Sequence, residues 1–205
     1  WPIRYVQLVS KPDSRDKITV SPENAEDFRT IWLSPDDEAV VQIIDQRLLP
    51  HEYRIHDLRS WQDGVVAISE MYVRGAPLIG ATAAWSLYLA SLGNGDVAKE
   101  IETASEALVE SRPTAVNLVW AVNRVRKRLR TARSAEEMIT LTRKEAESIC
   151  DEDIKISRGI GNQGLKLIEA ISNKKNGDTV NVLTHCNAGS LATINWGTAT
   201  APIYF

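Results

Sequence analysis

The chain has 205 residues, 43% of them hydrophobic, with 24 Lys and Arg against 27 Asp and Glu for a net charge of −3 at pH 7, and its isoelectric point is near 5.7. This is enough apolar material for a proper core, in one large domain or two small ones, and the acidic balance argues against a nucleic-acid backbone or an anionic membrane as the main partner. The two cysteines, Cys150 and Cys186, belong to no metal-spaced cluster, so neither a disulfide framework nor a metal site is predicted and a reducing, cytoplasmic setting is expected.

Residues 1 to about 38 mix short apolar runs with Pro, Asp and Ser, and only Ile31-Trp32-Leu33 reads as a strand. Ala39 to Asp45 is a second strand by its β-branched content, turned by Gln46 to Pro50, and Tyr53 to His56 is a shorter one. A small sheet near the N-terminus is predicted. From Ser60 to Met71, Trp61, Val65, Ile68 and Met71 recur at helical spacing before Arg74-Gly75-Ala76 breaks the pattern. Pro77 to about Leu92 reads as a closely packed, buried helix, with Gly80, Ala81, Ala83 and Ala84 on it, ended by Gly93-Asn94-Gly95 as a left-handed cap. The same apolar segment is too short to span a bilayer, and no leader opens the chain.

Asp96 to Glu110 is predicted as an amphipathic helix, followed by another from Thr114 to about Leu129. The latter puts Val116, Leu118, Val119, Val122, Val125 and Leu129 inside and Arg124, Arg126, Lys127, Arg128 and Arg130 largely outside, a basic face of the kind that is usually just solvated. Ser134-Ala135-Glu136-Glu137 resembles a capping start for a further helix. Gly159, Gly161 and Gly164 then predict a break, as a flexible junction or a backbone approach to a ligand, and Leu165 to Ser172 resumes the helix. Asn176-Gly177-Asp178 turns into an apolar strand, Val180 to Leu183, and Leu191 to about Tyr204 reads as a closing helix.

The stretch Leu183-Thr184-His185-Cys186-Asn187-Ala188-Gly189-Ser190 therefore reads as strand, tight turn and helix start, the place where ligands sit in open α/β sheets. A lone cysteine is most often a buried apolar residue, so other residues must support Cys186. In Arg74-Gly75-Ala76-Pro77 and in Arg112-Pro113 an arginine precedes a proline suited to the first turn of a helix. Each arginine would stand beside a helix N-terminus, where dipole and guanidinium both attract phosphate. Three such N-termini point to one shared anion site. An apolar strand at 180–183 also needs parallel neighbours and covering helices, so its partner strands are expected beyond Phe205.

Val73 to Gly80, Ser111 to Leu118 and Leu183 to Thr193 with Gly197-Thr198-Ala199, supported by Asp45-Gln46-Arg47-Leu48-Leu49-Pro50, resemble in order the signature segments of the methylthioribose-1-phosphate isomerases. The resemblance runs from about residue 39 to residue 205. That family shares a superfamily with the regulatory subunits of translation initiation factor 2B and with ribose-1,5-bisphosphate isomerases. The fold class implied is α/β: an N-terminal domain of helices with a small β-sheet, residues 1–175, followed by the start of a Rossmann-like domain, residues 176–205. A homodimer is implied, with the rest of the second domain absent from this sequence or supplied as a second chain. Arg74, Gly75, Ala76 and Arg112 match the family's substrate- and phosphate-binding positions, and Cys186 matches its thiol. The family's aspartate, glutamine and asparagine–lysine pair match nothing before Phe205, so the 205 residues alone are expected to be inactive.

The implied reaction turns 5-methylthioribose 1-phosphate, or a close 5-substituted ribose 1-phosphate, into the ribulose 1-phosphate, a step of methionine salvage that uses no cofactor. Phosphate on the anomeric oxygen prevents simple ring opening to an aldehyde, so an acid must open the ring before hydrogen moves from C2 to C1. Arg74 and Arg112 would clamp the phosphate, and Cys186, biased toward thiolate by a helix dipole and nearby arginine, would face C1 and C2 as base or as polar stabiliser. Two other readings stand beside this: an isomerase of 5-deoxyribose 1-phosphate or ribose 1,5-bisphosphate, and a non-catalytic regulatory subunit, against which the Cys186-Asn187-Ala188-Gly189 segment speaks.

Overall fold

The structure is a computed structural model that describes residues 28–93, 95–176 and 178–205; most of the first 38 residues read above, together with Asn94 and Gly177 of the two expected turns, lie outside them. Three short antiparallel strands, β1 (Ile31–Leu33), β2 (Val41–Ile44) and β3 (Ile55–Leu58), form a sheet in that order, with Ile31 opposite Ile43 and Val41 opposite Leu58. The inward residues Ile31, Val41, Ile43 and Leu58 are fully buried, as the β-branched content of these runs requires.

Five helices follow: α1 (Trp61–Ser69), α2 (Ala76–Ser91), α3 (Val97–Ser111), α4 (Val116–Leu129) and α5 (Ala135–Lys174). Their starts are chemically marked. Ser60 and Asp63 form a reciprocal capping box, Asp96 accepts from the Ala98 and Lys99 N–H groups, and Ser134 accepts from Glu137. Helix α2 is the axis of the fold. Every residue from Leu78 to Ser91 is buried, and α1, α3, α4 and α5 all pack on it. Its Thr82 and Ser86 hydroxyls are satisfied within the helix, donating to the Leu78 carbonyl at 2.8 Å and to that of Thr82 at 2.7 Å.

Several expectations are corrected. Helix α2 ends with Leu92 in a right-handed conformation, and neither Gly93 nor Gly95 takes the left-handed one. Helix α4 starts three residues after Pro113, because Arg112 to Ala115 close a turn (Ala115 N–H to the Arg112 carbonyl, 3.0 Å), and Val116 is 79% exposed rather than inside. The break expected near residues 157–164 is absent, since α5 runs unbroken for 40 residues. Two of its glycines serve packing: a Cβ on Gly161 would lie 2.5 Å from the Phe205 ring, and one on Gly164 2.3 Å from Pro202. The short helix α6 (Ala201–Tyr204) lies in the space those missing side chains leave.

Residues 180–183 pair with no strand among the described residues, and Leu183 is 98% exposed; an isolated apolar run cannot satisfy its backbone as a strand. The helix expected from Leu191 to Tyr204 reduces to a three-residue 3-10 turn, Ser190–Ala192, and α6. Between them Trp196 and Gly197 adopt positive φ values of 55° and 83°. The Trp196 N–H donates to Asn195 Oδ1 at 2.6 Å and the Gly197 N–H to Thr193 Oγ1 at 3.1 Å, local bonds that compete with a helix ladder. Among the described residues no helix is long and apolar enough to cross a membrane.

Candidate functional site

The start of α2 is shaped by Gly75, whose φ of 99° and ψ of 135° belong to a region that side-chain-bearing residues avoid. No side chain caps this helix end, and Pro77 sits in its first turn. The missing side chain has a second use. A Cβ on Gly75 would lie 2.4 Å from both Cα and the carbonyl oxygen of Ala192, so the segment around Ala192 packs directly against the α2 N-terminus. One turn further along, a Cβ on Gly80 would be 3.0 Å from the Asn117 carbonyl oxygen and 3.6 Å from Ala121 Cβ. The second turn of α2 therefore packs closely against the start of α4.

The segment 188–200 folds back on itself there. The Ala188 carbonyl accepts from the Thr198 N–H at 2.8 Å and from Thr200 Oγ1 at 2.7 Å, which closes the loop two residues after Cys186. Three distant groups anchor it. Gln46 Nε2 donates to the Leu191 carbonyl at 2.7 Å, Thr30 Oγ1 to that of Thr193 at 2.6 Å, and the Ile194 N–H donates to Asp153 Oδ2 at 2.8 Å. The Thr30 N–H also reaches the Ile194 carbonyl at 3.1 Å, covering the outer edge of β1. Gln46 is buried at 1% exposure and its Oε1 has no partner. Burial pushes the Asp153 carboxyl above its ordinary pKa, and the Ile194 N–H acts against that.

Beside this lies a polar tier. The Gln46 N–H donates to the Tyr72 carbonyl at 2.9 Å, and Arg74 Nη2 donates to the Gln46 carbonyl at 3.3 Å. Arg47 forms a two-pronged pair with Asp45, at 3.0 and 2.7 Å, and stacks 3.2 Å above the centre of the Tyr72 ring. The Arg47 hydrogen bond holds the Asp45 carboxyl below its usual pKa.

Of the expected site residues, Arg74, Gly75 and Ala76 stand together at the α2 start, Arg74 exposed and Gly75 half-buried. Arg112 is half-buried in the turn leading to α4, whose start packs on the second turn of α2. Cys186 is exposed, in a left-handed conformation with φ of 66°. No α-helix starts behind it, so the helix dipole expected there is missing; of the three expected arginine- or thiol-bearing helix starts, only that of Arg74-Gly75-Ala76 stands as expected, since α4 begins four residues after Arg112. On the expected basic face, Arg124 pairs with Glu145 and Glu152, and Arg126 with Glu102, so these two arginines serve helix packing.

Residue-by-residue reading missed Thr30 and Asp153 as anchors. Gln46 fell inside the Asp45–Pro50 segment of the family resemblance but carried no role there. The assembled end of the bundle offers an uncapped helix start and a guanidinium for an anion, a buried amide oxygen without a donor, and a thiol on a loop tied to both.

The initiation factor 2 subunit family matches residues 72–202. The methylthioribose-1-phosphate isomerase of Cereibacter sphaeroides is 50% identical over 181 residues, 88% of this chain and 48% of that protein, and the one of Desulfatibacillum aliphaticivorans 46% identical over 184 residues, 88% and 50%. Among solved structures, the 5-methylthioribose 1-phosphate isomerase of Pyrococcus horikoshii superposes with a TM-score of 0.77 at 34% identity, covering 90% of this chain and 51% of that one. The delta subunit of translation initiation factor eIF-2B from A. fulgidus gives 0.73 at 32%, covering 86% and 50%. The chain thus spans about half the length of the relatives it matches. The matched span runs from Tyr72, just before the Arg74-Gly75-Ala76 helix start, to Pro202 in α6, so it takes in both helix N-termini and the whole anchored loop: this chain belongs to the initiation factor 2 subunit family.

Proposed function

We propose that these 205 residues are the N-terminal half of an aldose–ketose isomerase that converts 5-methylthioribose 1-phosphate to the corresponding ribulose 1-phosphate. The observation that carries this is the packing of the thiol-bearing segment onto the Arg74-Gly75-Ala76 helix start, at Ala192 against Gly75. Identities of 46–50% to proteins named for that activity support it. In this reading Arg74 and the uncapped first turn of α2 take the phosphate from one side and Arg112 from the other, by charge-assisted hydrogen bonds. Cys186 faces C1 and C2. The chemistry is redox-neutral within the sugar: after acid-assisted ring opening, a hydrogen leaves C2 and one is gained at C1, so C2 is oxidised as C1 is reduced. The acid and the remaining phosphate ligands belong to a second, Rossmann-like domain that begins at about residue 176, and the working unit is a cytoplasmic homodimer.

The test is an NMR assay of ketose formation from 5-methylthioribose 1-phosphate by the full-length protein that contains this chain. Arg74→Ala and Arg112→Ala are each expected to raise KM about 10- to 100-fold, the equivalent of one charged hydrogen bond. Cys186→Ser is expected to lower kcat with KM kept; near-normal turnover in that variant would remove the thiol from the mechanism. Binding of the sugar phosphate without turnover would replace the isomerase by a regulatory subunit. Faster turnover of 5-deoxyribose 1-phosphate or ribose 1,5-bisphosphate would replace the substrate.

A further inference from the structure

The loop that carries the candidate thiol has little regular structure of its own, and what fixes it comes from elsewhere in the chain. Its internal ties, Ala188 to Thr198 and Thr200 and Thr193 to Gly197, join residues 188–200 to one another. Its external anchors are Gln46, Thr30 and Asp153. Gln46 and Thr30 are neutral donors to carbonyl oxygens. Asp153 differs in kind: it is a carboxylate, projecting from the middle of α5, that takes the single N–H of Ile194, a residue with no exposure. It sits among Ile149, Cys150 and Ser157, all buried, where a purely structural position on a helix would carry an apolar side chain. Burial raises its pKa and so disfavours the charged form in the fold. A charge-assisted bond is roughly twice as strong as a neutral one and more demanding of geometry, which gives this position a reason to be acidic.

We propose that Asp153 is a positioning residue: by holding the Ile194 N–H it fixes the 188–200 loop, and through the Ala188 closure it sets where Cys186 stands in the substrate site. The proposal rests on the assignment of Cys186 to that site, and it adds a residue 33 positions away on a different element. Asp153 touches no reacting atom. Its effect is on the thiol's position, so it belongs to the turnover step and leaves phosphate binding by Arg74 alone.

The experiment compares Asp153→Leu, which removes the acceptor, Asp153→Asn, which keeps a neutral one, and Ser157→Ala, a buried hydroxyl without a partner on the next turn of α5, in the full-length protein. Three readouts are taken: hydrogen exchange of the 188–200 amides, the alkylation rate of Cys186 by iodoacetamide from peptide mass mapping, and kcat and KM. Asp153→Leu is expected to speed exchange across 188–200, change the Cys186 alkylation rate at least about threefold and lower kcat about 10- to 100-fold with KM within about twofold. Asp153→Asn restores all three to within about threefold, and Ser157→Ala matches the wild type. Wild-type exchange and alkylation in a folded Asp153→Leu protein overturns the proposal, and so does a parallel loss in kcat and KM that the asparagine variant does not rescue. If the leucine variant does not fold, Asp153→Ala is read in its place, and failure of both to fold makes Asp153 merely structural and overturns it. Exchange and alkylation need no turnover, so a protein without isomerase activity fails the functional reading while these two readouts still decide the role of Asp153.

Discussion

Gly75→Ala tests whether the site is built by direct contact between the α2 start and the loop after Cys186. The new Cβ would meet the Ala192 backbone at 2.4 Å, and backbone has no flexible end to swing away. Two costs add. Holding a side-chain-bearing residue at φ of 99° costs about 1–3 kcal/mol, and forcing a methyl into filled space another 1–3 kcal/mol or so. If the loop stays in place, the variant loses about 2–6 kcal/mol, a large share of the roughly 5–15 kcal/mol that holds a domain together. The alternative is for residues 190–192 to lift away, giving up the Gln46 to Leu191 hydrogen bond at about 1 kcal/mol on top of the strained φ. The cheaper route wins, so about 2–4 kcal/mol of global destabilisation is expected together with local loosening. Urea unfolding followed by circular dichroism measures the first, and hydrogen exchange of residues 188–200 against the α2 core measures the second. Gly159→Ala is the control: its Cβ meets nothing within 4 Å in the middle of α5, so it is expected to gain about 0.5–1 kcal/mol from helix propensity. A Gly75→Ala protein with an unchanged urea midpoint and unchanged exchange at 188–200 would refute the contact, and with it the assembly of the site described above.

Two further expectations concern titrating groups. Arg124 donates to Glu152 and holds its pKa down to about 2 from the model-peptide value of 4.5; a depressed folded pKa gives stability that is present above the unfolded pKa and is lost as pH falls from about 4.5 through about 2. With the Glu152 side chain 46% exposed, solvent screening reduces this to about 1 kcal/mol, so Glu152→Gln should unfold at a lower urea concentration than the wild type at pH 7 and at the same one near pH 2; a gap that persists at pH 2 would refute the pairing. Burial pushes the Cys150 thiol up to about 12, with the Trp85 indole donating to its sulfur at 3.3 Å, so in the folded protein at pH 9 iodoacetamide should label exposed Cys186 and spare Cys150, and labelling of both at similar rates would contradict this packing.

What could be read from the sequence was what is local. The Ser134 cap, the helical spacing of α1, the buried small-residue helix α2 and the three strands each carry their signal within a few residues, and all appear within a residue or two of where the pattern put them. The failures have two causes, a distant contact in one case and a competing local bond in the other. Gly161 and Gly164 look like breakers until Pro202 and Phe205 are seen lying in the space they leave, some 40 residues on. Leu191 to Tyr204 looks helical until Thr193 and Asn195 turn their side chains onto their own backbone.

The same distinction governs the site. Arg74, Gly75 and Ala76 could be placed at a helix start because that is a local motif, whereas Thr30, Gln46 and Asp153 act on partners 163, 145 and 41 residues away. A bond of that span has no periodicity to betray it, and the entropy of ordering a loop of this kind is met only when such distant anchors act together. The exposed position of Cys186 therefore follows less from its own neighbours in the chain than from how firmly the loop behind it is held. A substitution at an anchor should consequently disturb the thiol more than a substitution at His185 or Asn187, both exposed beside it.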